Sequence, residues 1–350
     1  MLGAMMSLPK RPRRRAILGG LAATALLPAD SFRAAGLKVS PRDLDVVRNK
    51  AAEMDQLHSL SINVAGQSVL AEAFRGPPLS RAVNVKSVSK TLVATLALIA
   101  MDKGHLSGPD QKALPLLGAL APKDVDPRAA DITVGDLISL RSGLVRTSGP
   151  NYGAWVNSRD WIGYILKQPM VSAPGSRMSY STGDFHIASA VLTNVTGRTT
   201  HQLARDWLGK PLGIDFAPWT RDPRGIYMGG NNMSMTPEGM IRFGRMALAG
   251  GKFGGTQVVS EARLAEAWRP RGRSPFSGFQ YGYGWFLMKA GNVPTYFARG
   301  YGGQMIYVMP DLEAVVAITS DASRPARSNG YGGVLNRLLS QDIVPALSQG

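Results

Sequence analysis

Lys86-Ser87-Val88-Ser89-Lys90, continued by Thr91-Leu92-Val93-Ala94-Thr95-Leu96-Ala97-Leu98-Ile99-Ala100, is the stretch from which the rest of the 350-residue chain is read. Its tail is apolar nearly all round, the pattern of a helix buried in a large protein. Ser87 stands where that helix should begin, and Lys90 lies one turn further along the same face. A hydroxyl is a poor nucleophile until a neighbouring base takes its proton. A lysine whose pKa is lowered by burial can be that base. Unpaired N–H groups at a helix start suit an oxyanion beside the serine. The plainer reading is a capping serine and an ordinary helical lysine, and two fixed positions alone do not choose between them.

The 44% hydrophobic content and 40 glycines allow a sizeable core, in one large domain or two intimate ones. Cysteine is absent, which excludes disulfides, a thiol nucleophile, cysteine-based metal sites and a lipoprotein anchor. The net charge of +16 is concentrated in part in Lys10, Arg11, Arg13, Arg14, Arg15 and Arg33. No later basic run is interleaved with aromatics, so nucleic acid is not an expected partner. The remaining excess favours anionic surfaces or substrates.

Residues 1–35 read as an export signal. Arg13-Arg14-Arg15-Ala16-Ile17-Leu18 precedes Gly19-Gly20-Leu21-Ala22-Ala23-Thr24-Ala25-Leu26-Leu27, a basic region before an apolar run too short to span a bilayer. The paired arginines resemble a twin-arginine signal, so a periplasmic or secreted protein is expected. Cleavage would fall between Ala29 and Gly36. No other stretch is long and apolar enough to cross a membrane, so a soluble mature protein without stable membrane insertion is expected.

Beyond the leader, Asp43 to Leu57 has helical spacing, and Leu60 to Phe74 alternates around Ala65-Gly66 as a β-hairpin. From Lys86 to about Trp268 the pattern is mostly helical. Strand signals return at Tyr281 to Met288, Thr295 to Ala298, Gln304 to Met309 and Ala314 to Ser320, with Pro310-Asp311 as a tight turn. Val334 to Leu347 closes the chain as an amphipathic helix. The expected architecture is α/β (α+β): an antiparallel sheet built from both chain ends, residues 38–85 and 276–350, with helices against it and a mostly helical insertion, 86–275.

Several motifs in order now carry a resemblance. Ser87-Val88-Ser89-Lys90-Thr91 is followed by Asp131-Ile132-Thr133-Val134-Gly135-Asp136-Leu137 and Arg141-Ser142-Gly143-Leu144. Then come Pro174-Gly175-Ser176-Arg177-Met178-Ser179-Tyr180-Ser181, Pro211-Leu212-Gly213-Ile214, Met235-Thr236-Pro237-Glu238-Gly239-Met240 and Phe297-Ala298-Arg299-Gly300-Tyr301-Gly302-Gly303-Gln304. From about Leu60 to Ser320 the chain resembles the serine β-lactamase and penicillin-binding superfamily in its class C-like branch. That branch includes family VIII esterases, D-aminopeptidases and 6-aminohexanoate-oligomer hydrolases. The resemblance implies a serine hydrolase with Ser87 as acylated nucleophile, Lys90 as its partner and Tyr180 as a second base, its ionisation favoured by nearby Lys90. It implies an oxyanion hole from the backbone N–H groups of Ser87 and Tyr301, with Thr182, Arg299 and Gly300 meeting the substrate. No cofactor or metal is expected, and the partner would be a small ester or amide. The oligomeric state is left open.

Two departures stand out. The asparagine two residues after the family's tyrosine is Thr182 here, and the third-motif cation is replaced by Ala298 with Arg299 beside it. Strand alternation should put Arg299 on the opposite face from Ala298. Both changes read as substrate handling, and they favour esters or linear amides over β-lactams. A class C-like β-lactamase, a D-amino-acid peptidase and a non-catalytic penicillin-binding-like sensor or scaffold are the alternatives.

Other chemistry is less well supported. There is no Gly-x-Ser-x-Gly elbow, and His58, His105, His186 and His201 lack metal spacing. His105 and His186 read as structural, Glu238 as a solvated helix-start carboxylate and Asp184 as a loop residue. Gly229-Gly230-Asn231-Asn232 reads as a turn near the site mouth.

Overall fold

The computed structural model describes residues 39–326 and 328–348; the expected export signal lies outside them. Twelve strands occur among the described residues: β1 (Leu57–Val64), β2 (Gln67–Ala73), β3 (Val83–Lys86), β4 (Met233–Met235), β5 (Lys252–Phe253), β6 (Thr256–Gln257), β7 (Gly272–Arg273), β8 (Gln280–Tyr281), β9 (Phe286–Ala290), β10 (Val293–Gly300), β11 (Gln304–Met309) and β12 (Ala314–Ser320). The helices that matter here are α1 (Pro41–Glu53), α2 (Val88–Asp102), α3 (Val134–Ile138), α4 (Thr182–Thr196), α5 (Pro237–Leu248) and α6 (Tyr331–Arg337).

Eight strands form one sheet in the order β2-β1-β12-β11-β10-β9-β8-β7. The N-terminal hairpin and the C-terminal meander meet where β1 pairs antiparallel with β12, from Leu57 opposite Ser320 to Val64 opposite Ala314. This is the expected sheet from both chain ends. Every residue of β11 and β12 is buried, which suits central strands covered on both faces. On one face, Tyr307 on β11 donates its hydroxyl to Asn336 of α6 at 3.2 Å, and α1 is tied to the C-terminal helix by the Lys50–Asp342 ion pair. On the other, α5 presses Gly244 onto Ile306 and Val315.

Three local readings change. The helix expected to reach Leu57 ends at Glu53, and Leu57 already pairs in the sheet. Tyr281 to Met288 is not one strand, because Gly284 adopts φ +77° and turns β8 back onto β9. The Gly284 carbonyl then accepts the Thr91 hydroxyl of α2 at 2.6 Å. The closing helix is continuous from Tyr331 to Ser348 but passes through a π-helical segment, Leu338–Ile343. Another π-helical segment, Ala204–Gly209, likewise precedes a proline, Pro211. Proline lacks the N–H that an α-helical turn needs, so the bonding widens before Pro211 and Pro345.

Candidate active site

β3 delivers the chain to α2 through one strained residue. Lys86 has φ +52°, a left-handed conformation that costs a β-carbon-bearing residue about 1–3 kcal/mol. The turn is held on three sides. The Lys86 N–H donates to Asn84 Oδ1 at 2.8 Å, Ser89 Oγ donates to the Lys86 carbonyl at 2.6 Å, and the Met233 N–H donates to Ser89 Oγ at 3.1 Å. Ser87 follows at the start of α2, yet its side chain makes no capping hydrogen bond. The plainer capping role therefore fails, and the hydroxyl is available to its neighbours.

Lys90 is buried in the middle of an apolar helix, with Nζ 3.1 Å from Ser87 Oγ, 3.1 Å from Thr182 Oγ1 and 2.7 Å from the Gly230 carbonyl. Burial lowers its pKa from 10.5 to about 7, against the opposing pull of the Asp184 charge. A neutral amine has two N–H donors and one lone pair. Gly230 and Thr182 can take the donors, which leaves the lone pair for the Ser87 proton. Thr182 thus touches Lys90 directly, a contact that the family pattern did not point to. Ser148 lies behind Thr182: its Oγ is 2.9 Å from Thr182 Oγ1 and accepts the Thr182 N–H at 2.9 Å.

Tyr180 packs its ring on Phe286, with centroids 6.1 Å apart and planes at 17°, and Lys90 Nζ lies 5.0 Å from the centre of the tyrosine ring. Burial raises the phenol's pKa; contact with the Ser87 hydroxyl and the charge of Arg299 pull it back. Burial is the largest of these influences, so the phenol's pKa stays above that of an exposed tyrosine.

The third motif meets these groups from β10. Register places Phe297 opposite Phe286, so Arg299, two residues on, shares the face that carries Phe286 and Tyr180. Its guanidinium carbon sits 4.9 Å from the Phe286 ring centre, whereas Ala298 points to the opposite face and is buried. The alternation is as expected, and it brings the charge to Tyr180's side. Gly300 lets β10 end against the nucleophile's strand: a β-carbon there would come within 2.3 Å of the Val85 carbonyl and 3.1 Å of Lys86 Cβ. Tyr301 follows directly and is 54% exposed. Gln304 closes the motif by bonding the Ser320 backbone through both amide atoms, at 2.8 and 3.2 Å.

Gly230 lies in a turn at the site, as read from sequence, and its carbonyl accepts from Lys90 Nζ. One residue was misjudged from sequence. Asp184, read as a loop residue, lies in the first turn of α4 and is fully buried. Desolvation raises its pKa to about 7, opposed by Ser142, Ser181 and Lys90. His186 is structural as expected: its Nε2 lies 3.0 Å from Asp222 Oδ2 in a buried pair. Glu238 is exposed and pairs with Arg242. Among the described residues no group of three or more His, Asp or Glu could hold a metal ion, and no helix is long and apolar enough to cross a membrane.

The beta-lactamase family profile matches residues 59–340, from the first sheet strand to the C-terminal helix. The chain belongs to the beta-lactamase family. This beta-lactamase-family chain is 26% identical over 155 residues to the D-alanyl-D-alanine-carboxypeptidase/endopeptidase AmpH of Escherichia coli K12, covering 42% of itself and 39% of that relative. It thus spans well under half the length of the curated relative it matches. Among solved structures it resembles EstCE1, a hydrolase with promiscuous acyltransferase activity, at TM-score 0.69 and 15% identity over 85% of this chain and 98% of the other. A Bacillus anthracis protein assigned as a 6-aminohexanoate-dimer hydrolase superposes at TM-score 0.68 and 16% identity, over 84% and 80%. At such identity these likenesses establish the fold. Family membership, with hydrolases among the fold neighbours, supports a serine hydrolase.

Proposed function

We propose that this chain hydrolyses a carboxylic ester or linear amide through an acyl-enzyme on Ser87. The observation that carries the reading is a buried lysine, near neutrality in pKa, 3.1 Å from an uncapped serine hydroxyl at a helix start. Ser87 Oγ attacks the substrate carbonyl as its proton passes to Lys90 Nζ. The carbonyl's electron pair moves onto oxygen, where the backbone N–H groups of Ser87 and Tyr301 receive it. Tyr180, protonated at rest, gives its proton to the leaving group and is reprotonated from Lys90. Water then attacks the acyl carbon by the same route in reverse, and Ser87 is released.

Substrate preference follows from the third motif. Ala298 offers no charge, so a β-lactam's carboxylate lacks its usual partner there, while Arg299 is available on the Tyr180 face. Short esters and linear amides should be cleaved faster than penicillins or cephalosporins. The test is kcat/KM for p-nitrophenyl butyrate, a 6-aminohexanoate dimer and nitrocefin, in the parent and in Ser87→Ala. The reading predicts turnover of one of the first two above nitrocefin, abolished by Ser87→Ala. Nitrocefin outpacing both contradicts it.

Export by the twin-arginine route is part of the same proposal. Lys in place of both Arg14 and Arg15 should keep the precursor in the cytoplasm, and unchanged export contradicts that route.

A further inference from the structure

The start of α4 is not capped by its own N-cap residue. Ser181 stands there in an extended conformation, and its side chain makes no capping hydrogen bond. The loop that follows α3 supplies the missing acceptors. Ser148 Oγ accepts the Thr182 N–H at 2.9 Å, and Thr147 Oγ1 accepts the Gly183 N–H at 2.7 Å. The Thr147 N–H donates back to Ser181 Oγ at 3.3 Å. Gly183 permits this approach, since a β-carbon there would lie 2.7 Å from Thr147 Oγ1. Two hydroxyls thus cap α4 across a tertiary contact. Ser148 does more than capping needs. Its Oγ also lies 2.9 Å from the Thr182 hydroxyl, which in turn lies 3.1 Å from Lys90 Nζ.

We infer that Ser148 is a positioning residue for Lys90 and acts through the hydroxyl of Thr182. The inference rests on the Ser87–Lys90 reading above. A threonine hydroxyl beside a neutral amine has two choices. It can accept an amine N–H, or it can donate its own hydrogen into the amine's lone pair. The second choice occupies the lone pair that must take the Ser87 proton. Among the described residues, Thr182 Oγ1 hydrogen-bonds only Lys90 and Ser148. Ser148 Oγ is therefore the acceptor that draws the Thr182 hydrogen away from the amine. It then accepts twice, from the N–H and the O–H of Thr182, and a serine oxygen has two lone pairs for this. Ser148 is half-buried, so its own hydrogen can turn to water. Thr182 is left with a lone pair toward Lys90, and the lone pair of Lys90 is left for Ser87.

The test is a double-mutant cycle on the full chain: parent, Ser148→Ala, Thr182→Val and the pair, read by the rate of Ser87 labelling with a fluorophosphonate. Ser148→Ala should slow labelling of the parent by about tenfold, the net worth of roughly one hydrogen bond. In the Thr182→Val background the same change should cost less than about twofold, because the hydroxyl it acts through is gone. Equal losses in the two backgrounds would make Ser148 a helix cap and nothing more, and overturn the inference. Ser148→Thr keeps the hydroxyl and suits the extended backbone there, φ −102° and ψ 160°. It should label at close to the parent's rate, and a loss as large as that of Ser148→Ala contradicts the inference. Thr182→Val matches threonine in shape, so a parental labelling rate in it overturns the inference even if Ser148→Ala does not fold. Deuterium exchange at the Thr182 amide is independent of activity. It should be faster by about tenfold in Ser148→Ala, and an unchanged rate overturns the inference as well. If the parent is not labelled at Ser87, the hydrolase reading fails, while exchange still decides whether Ser148 holds Thr182.

Discussion

The carbonyl of Gly230 and the Nζ of Lys90 are 2.7 Å apart although 140 residues separate them in the chain. That contact fixes where one of the amine's hydrogens points, and with Thr182 it turns the lone pair toward Ser87. The backbone comes this close because position 230 has no side chain. A β-carbon there would lie 2.9 Å from Thr182 Cγ2 and 3.1 Å from Lys90 Nζ.

Gly230→Ala should therefore disturb the lysine without touching substrate. A displacement of about 1 Å at a reacting group can cost on the order of 10²-fold. We expect kcat on p-nitrophenyl butyrate to fall by about that factor with KM little changed, in steady-state kinetics on a variant that melts near the parent. Parental kcat would mean that the carbonyl has no part in orienting the amine.

Tyr180→Phe removes one hydroxyl and keeps the ring on Phe286. Positioned proton transfer contributes about 10²–10⁴-fold, and the loss in kcat should lie in that range, with thermal melting essentially unchanged. Full activity in this variant would reduce Tyr180 to packing.

Arg299→Ala separates charge recognition from chemistry. A charge-assisted hydrogen bond is worth about 1.5–3 kcal/mol, or roughly ten- to a hundredfold in binding. KM for a substrate bearing a free carboxylate should rise by that factor, while a neutral ester loses far less. Equal losses on both substrates would place the guanidinium's effect on Tyr180 rather than on the substrate.

The buried lysine also has a stability signature. Its pKa is about 7 when folded and 10.5 without burial, so between those values the unfolded chain binds the extra proton. The contribution of Lys90 to stability then rises with pH across that window. Lys90→Met removes the penalty, and it should be more stable than the parent at pH 7, with the gap narrowing by pH 9.5. Urea denaturation at the two pH values measures this, and a constant gap contradicts the assigned pKa.

What could be read from sequence divides along physical lines. The nucleophile helix and the two-ended sheet were legible because their signals are local: an all-round apolar run after Ser87, and alternation around Ala65-Gly66 and from Gln304 to Ser320. The face of Arg299 followed from strand alternation alone. Asp184 was not legible, since a carboxylate in a first helical turn is ordinarily solvated and only the tertiary packing around α4 buries this one. The same holds for the contact of Gly230 with Lys90, which lies in the backbone. Thr182 was assigned to the substrate from a family pattern, but the Lys90 contact depends on where α4 begins relative to α2. The break at Gly284 was hidden because Tyr281 to Met288 is apolar on both sides of the turn.

The central claim is that Ser87 is the nucleophile, and covalent labelling reads it directly. After incubation with a fluorophosphonate, intact-mass analysis and peptide mapping should find one adduct per chain, on Ser87, in the parent, and none in a folded Ser87→Ala. An adduct that persists in Ser87→Ala, on any other serine, would contradict the account.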